Sequence, residues 1–103
     1  MFSSDKLLLR AFTQLKTLLN KHELRHLLHK LRLAEENISS LEETYHGRDH
    51  LKDRIFHSLV AWKDDAGGAA TMDELIRILH IINMREVSCK MRKTKIYSQA
   101  IRL

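Results

Sequence analysis

Apolar residues recur along this chain at spacings of three and four, the period of a helix that buries one face. Between residues 5 and 19 they fall at Leu8, Ala11, Phe12, Leu15, Leu18 and Leu19, behind the candidate caps Ser4 and Asp5. Asn20 and Glu23 have the spacing of a capping box, in which the Asn side chain accepts from a free backbone N–H and the Glu reaches back. A second helix is therefore predicted over 22–32, with Leu24, Leu27, Leu28 and Leu31 inside. Past the polar break Ala34-Glu35-Glu36-Asn37, the residues Ile38, Leu41 and Tyr45 mark a third over 35–46, stopped by Gly47. Asp49 is the expected cap of a fourth over 50–63 on the stripe Leu51, Ile55, Leu59 and Trp62, and residues 64–68 are read as an exposed loop. Thr71 with Glu74, and Asn83 with Glu86, repeat the capping-box spacing. They open a fifth helix over 72–82 (Met72, Leu75, Ile76, Leu79 and Ile82) and a sixth over 84–92 (Val87 and Met91). Residues 93–103 are a basic tail or a helix extension with only Ile96 and Tyr97 left to bury.

Six helices with short connections make an all-α, antiparallel bundle, and the composition agrees. The chain has no proline and three glycines, so little interrupts helical propensity. Its 103 residues suit one domain spanning 1–92, and 44% hydrophobic residues are enough to fill one core. Cys89 is the only cysteine. No internal disulfide is possible, and a reducing cytoplasmic setting is expected. Apolar runs such as Leu7-Leu8-Leu9 are far too short for membrane insertion.

Four runs are more specific than the helix count. They are Leu24-Arg-His-Leu-Leu-His-Lys-Leu-Arg-Leu33, Asn37-Ile-Ser-Ser-Leu-Glu-Glu-Thr-Tyr45, Leu51 through His57-Ser-Leu-Val-Ala-Trp62-Lys63, and Ala70-Thr-Met-Asp-Glu-Leu75. In order and spacing they resemble helices two to five of the death domain, including the helix-four Trp and the Ala-Thr that opens helix five. The likeness runs from about residue 20 to 92. Departures occur at Leu24, where the family usually has Trp; at His29, where a receptor-binding Arg falls in the family's vertebrate adaptor; and at Phe56, where a helix-four Arg falls. Two extra residues sit near Gly47 and Arg48.

The resemblance implies a death-domain fold and homotypic binding, one patch of a domain docking on a different patch of the next. It implies a death-domain receptor or adaptor as partner, and a homo-oligomer or helical assembly that serves apoptosis or innate immunity. A caspase would be reached only indirectly, through a death-effector domain that this chain does not encode. The expected protein-binding residues divide by sign. Helix two offers Lys21, Arg25, His29, Lys30 and Arg32, while helix three offers Glu35, Glu36, Glu42 and Glu43, so unlike charges lie on neighbouring elements. Exposed ion pairs are individually worth only ~0–1 kcal/mol, so such faces act as groups. Phe56, with Val60 one turn on, is a candidate exposed apolar anchor, set against the simpler reading that it packs on helix one. Asp64 and Asp65 head the expected loop after helix four.

Other chemistry is poorly served. His22, His26 and His29 share a helical face, but a dedicated metal site needs further ligands and none is placed for it, so no metal and no cofactor are expected. Cys89 lacks a base or an oxyanion context and reads as a packed or half-exposed structural thiol, and no paired carboxylates or phosphate loop occur, so the chain is not expected to be an enzyme. Net charge is +5, and Lys90, Arg92, Lys93, Lys95 and Arg102 supply most of the excess. They support the alternative reading, a basic helical domain that binds nucleic acid through its tail.

Overall fold

The computed structural model describes the backbone of residues 3–101 and the side chains of residues 6–97. Six α-helices follow one another: α1 (Ser3–Leu15), α2 (Lys21–Lys30), α3 (Glu35–Thr44), α4 (Leu51–Ala66), α5 (Met72–Ile81) and α6 (Arg85–Ile101). Short 3-10 turns at Arg48–His50 and Gly67–Ala69 flank α4, and no strand occurs among the described residues. The architecture is the all-α six-helix bundle that the apolar periodicity predicts.

Helices of ten residues are marginal in water on their own, so packing holds them. Phe12, Leu15, Leu27, Ile55, Leu59, Leu75, Leu79 and Met91 are wholly buried. Trp62 joins them at 3% exposure, its ring centroid 6.2 Å from that of Phe12. Leu24, at the position where the resemblance leads one to expect Trp, is also buried. α4 lies at the centre, touching α1, α2 and α3, while α5 pairs most extensively with α6. Because α5 also meets α1 and α2, its apolar face is broader than the predicted stripe. Ile78 is buried as well, and Ile81 is left outside at 51% exposure.

Helix ends depart from the sequence reading for identifiable reasons. The Asn20–Glu23 box forms in full, with Glu23 N–H donating to Asn20 Oδ1 at 2.8 Å and Asn20 N–H to Glu23 Oε1 at 2.9 Å. Asn20 must then be extended, so α1 tightens after Leu15 through the Leu18 N–H to Leu15 carbonyl bond rather than running on to Leu19. Thr71 caps α5 by accepting from Glu74 N–H, but the Glu74 carboxylate binds Arg77 one turn on, which leaves half a box. Asn83 caps nothing. It sits at φ 67° just after α5, where its N–H bonds the His80 carbonyl and Met84 N–H bonds the Leu79 carbonyl, the pattern of a left-handed helix end.

Arg32 repeats this geometry after α2, at φ 68°, with Arg32 N–H bonded to the His29 carbonyl and Leu33 N–H to the Leu28 carbonyl. It is thus outside the helix rather than in its last turn. Asp49 also fails to cap, because Arg48–His50 forms a 3-10 turn entered through Gly47 at φ 90°. The Ala34–Asn37 segment is helical from Glu35 onward. The side chains of Ser4 and Asp5 lie outside the described residues.

α4 does not stop at Lys63. Nothing before Gly67 breaks it, so Asp64 and Asp65 form its last turn rather than a loop. α6 likewise continues through Lys93 to Ile101, and among the described residues apolar burial does little to hold the extension, since Ile96 and Tyr97 are 58% and 72% exposed. Polar contacts hold it: Thr94 Oγ1 donates to Gln14 Oε1 of α1 at 2.7 Å, and Lys95 pairs with Asp73 of α5. Nearer its start, the buried Ser88 hydroxyl donates to the Ile76 carbonyl at 3.1 Å. Cys89 is exposed, not packed.

Two substitutions test this account by urea unfolding. A side chain at Arg32 holds a left-handed backbone at a cost of ~1–2 kcal/mol. Arg32→Gly should therefore raise stability by about 1 kcal/mol, the larger unfolded-state entropy of Gly taking back part of the gain. Ser58 is fully buried, and among the described residues its hydroxyl has no hydrogen-bond partner. Ser58→Ala removes that orphan and should stabilise by roughly 0.5–1 kcal/mol.

Candidate functional site

The residues expected to form unlike-signed faces meet within the domain. Arg25, in the middle of α2, forks across to α3, with Nη1 donating to Glu42 Oε2 and Nη2 to Glu35 Oε2, each at 2.5 Å. His29, one turn further along the same face of α2, places Nε2 2.8 Å from the other Glu35 oxygen. The register of the two helices makes this possible. Glu35 lies in the first turn of α3, and Glu42 is two turns on, so one guanidinium reaches both carboxylates.

The cluster is between 39% and 55% exposed, which leaves it partly screened by water. It nonetheless fixes charge. The hydrogen bond from His29 first, and Arg25 second, hold the Glu35 carboxyl below its usual range. Glu42, ahead of Glu35, holds the Arg25 guanidinium the more firmly charged.

Four of the candidate residues are thus brought together as a brace between α2 and α3. The others lie around it. Lys21 and Lys30 are exposed at the two ends of α2, Glu36 and Glu43 are exposed on α3, and Asp64 and Asp65 are exposed at the end of α4. Among the described residues, none of these six forms an ion pair within the chain. Arg32 is exposed beyond α2, near enough to Glu74 to help Arg77 lower its carboxyl. The aspartates stand against the negative end of their own helix, a placement the helix dipole disfavours.

Phe56 is not an exposed spot. It is half-buried against α1, edge-on to Phe12 at 6.4 Å between centroids, with Lys16 Nζ 5.6 Å above its ring, and Val60 is half-buried on the same core. Phe56 thus completes the packing of α4 on α1.

His22, His26 and His29 are exposed, and among the described residues no group of three metal-binding side chains gathers. None of the described helices is long and apolar enough to cross a membrane. In the basic extension Lys95 is tied to Asp73, Lys90, Arg92 and Lys93 are exposed, and Arg102 lies outside the described residues.

The sequence reading missed two features of the surface. One is the polar anchorage of α6, whose Thr94 and Lys95 find partners eighty and twenty-two residues away. The other is a cleft lined by Arg48 and Arg54, for which the three-residue spacing Arg48, Leu51, Arg54 was the available signal.

Six helices around one core, with opposite charges displayed on separate elements, define a helical-bundle domain that presents charged surfaces. Sequence comparison agrees: a family profile for the death domain matches residues 12–94, from within α1 to past the middle of α6. The chain belongs to the death-domain family, whose members are interaction modules that bind other death domains. No curated protein matches the sequence.

The Glu35 brace has a pH signature. Its folded-state carboxyl is depressed, so the stabilisation is present above the unfolded carboxylate value near 4.3 and is lost as pH falls through the lower folded value. Unfolding midpoints of the native chain and of Glu35→Gln should differ above about pH 5 and draw together as pH falls below about 4.3 through the lower folded value.

Proposed function

We propose that this death domain is an adaptor module that binds the death domain of a receptor or adaptor, and also its own kind, head to tail, nucleating an oligomer in apoptotic or innate-immune signalling in the cytoplasm. It resembles the death domain of the Fas-associated adaptor, on the likeness of Ile38-Ser-Ser-Leu-Glu-Glu-Thr-Tyr45 and His57-Ser-Leu-Val-Ala-Trp62-Lys63 to that domain's helices three and four. Any caspase would be recruited through a separate effector domain.

One observation carries the reading. Internal pairing uses Arg25, His29, Glu35 and Glu42 and leaves unlike charges exposed on separate elements, Lys21 and Lys30 on α2 against Glu36 and Glu43 on α3. Surfaces so arranged can pair between molecules, and copies that pair one face with the other head to tail form an open chain or a closed ring. Asp64 and Asp65 add a second acidic spot, kept exposed against the preference of their helix.

The test is light scattering of the purified chain across concentration and ionic strength. Self-association should weaken as salt rises, because the contacts lie at an exposed rim. Glu36→Lys with Glu43→Lys should abolish assembly and leave the unfolding curve within about 0.5 kcal/mol, as both side chains are solvent-facing. Mixing that variant with Lys21→Glu, Lys30→Glu should restore assembly, since each then offers what the other lacks. Unchanged assembly of the α3 double variant would overturn the charged-face reading.

A further inference from the structure

The start of α2 faces the turn between α3 and α4 across a cleft of about 470 Å³. Its lining is Asn20, Lys21, Gly47, Arg48, Leu51 and Arg54, which is three cations and no carboxylate. The 3-10 turn and the first turns of α4 put Arg48, Leu51 and Arg54 on one face at three-residue spacing, and Gly47 at φ 90° lets the chain turn into it.

Arg54 sets this place apart. Arg25 and Arg77 each fork onto carboxylates at 2.5 to 3.0 Å. Among the described residues, Arg54 reaches only the Tyr45 carbonyl, at 3.5 Å, and its Nε is shielded from water without any acceptor. A guanidinium so weakly satisfied, in a chain with thirteen acidic residues to choose from, gains most from an oxyanion in the cleft.

We propose that this cleft binds a phosphate monoester. A carboxylate brings one negative charge to three cations and leaves most of their repulsion in place. A monoester brings about −1.5 to −2 and three strong acceptor oxygens, enough for the Arg54 fork, Arg48 and Lys21 together. Leu51 supplies an apolar wall for the carbon side of the ester, and the volume exceeds what inorganic phosphate alone would fill. The site goes beyond the proposed homotypic binding, and Glu36 and Glu43 take no part in it.

The test is nitrogen-15 NMR titration of the full chain at constant ionic strength. The probes are inorganic phosphate, glycerol 3-phosphate, a hexapeptide with a central phosphoserine, the same peptide with glutamate there, and a single-stranded oligonucleotide. Both esters should cause saturable shifts at the amides of Lys21, Gly47, Arg48 and Leu51, with inorganic phosphate weaker. A tighter phosphopeptide would identify a modified side chain as the source, and equal affinities a free small ester. Arg48 is exposed, so Arg48→Gln should keep the remaining spectrum and weaken ester binding about tenfold, one charge-assisted bond being worth roughly that factor. Arg54→Lys, which keeps the charge and loses the fork, should weaken it by a similar factor. The proposal fails if shifts are diffuse and non-saturating, if the glutamate peptide or the oligonucleotide binds as tightly as the esters, or if Arg48→Gln has no effect.

Discussion

The structure depends on burial around the aromatic pair Phe12 and Trp62. Three of the six helices have ten residues, and α3 lacks even a side-chain cap, so none would persist alone. What holds them is that α4 and α5 each offer a broad apolar face: Ile55, Leu59 and Trp62 on one, Leu75, Ile76, Ile78 and Leu79 on the other. α1 closes over the first with Phe12 and Leu15, and α6 closes over the second with Met91. Once these contacts form, the connections have little freedom left. That explains why two of them accept a left-handed residue, Arg32 and Asn83, where glycine would be easier.

The same geometry sorts the charges. α2 and α3 pack close enough for Arg25 to span both Glu35 and Glu42, so part of the opposite-signed display is consumed within the domain and stiffens the α2–α3 corner. What remains outside is sparser and better separated than the sequence suggests. Basic side chains lie at the ends of α2, acidic ones on the outer side of α3 and at the end of α4. Exposed charges that no intramolecular partner reaches retain their full potential for a partner of the opposite sign, and the death-domain family is one that binds its own kind.

Much of the fold was legible because periodicity is a local signal. Leu24, Leu27 and Leu28, or Ile55, Leu59 and Trp62, declare an inner face without reference to the rest of the chain. The family was legible from four runs of residues on helices two to five. Helix ends were read less well, since Asn83 can cap a following helix or end a preceding one, and only the position of His80 and Leu79 decides between them. Asp64 and Asp65 looked like loop because they lead into the paired glycines Gly67 and Gly68, yet without a breaker before Gly67 the helix simply continued. Long-range pairing was not legible at all. Nothing local in Arg25 or Lys95 says that its partners are Glu42 or Asp73, or that Arg54 has no acid to meet.

α4 ties these levels together. Its middle carries the core stripe, its first turns carry Arg54 on the rim of the basic cleft, and its last turn carries Asp64 and Asp65, all on one rod about 24 Å long. Side chains fixed to one packed helix keep their spacing, so the two surfaces are held in register by the same contacts that hold Trp62 and Leu59 in the core. It follows that truncating a residue such as Leu59 would disturb both surfaces at once and report only on packing. The functions of the outer faces can be separated only through side chains that touch nothing inside, and the exposed ends and flanks of α2, α3 and α4 are where this chain keeps them.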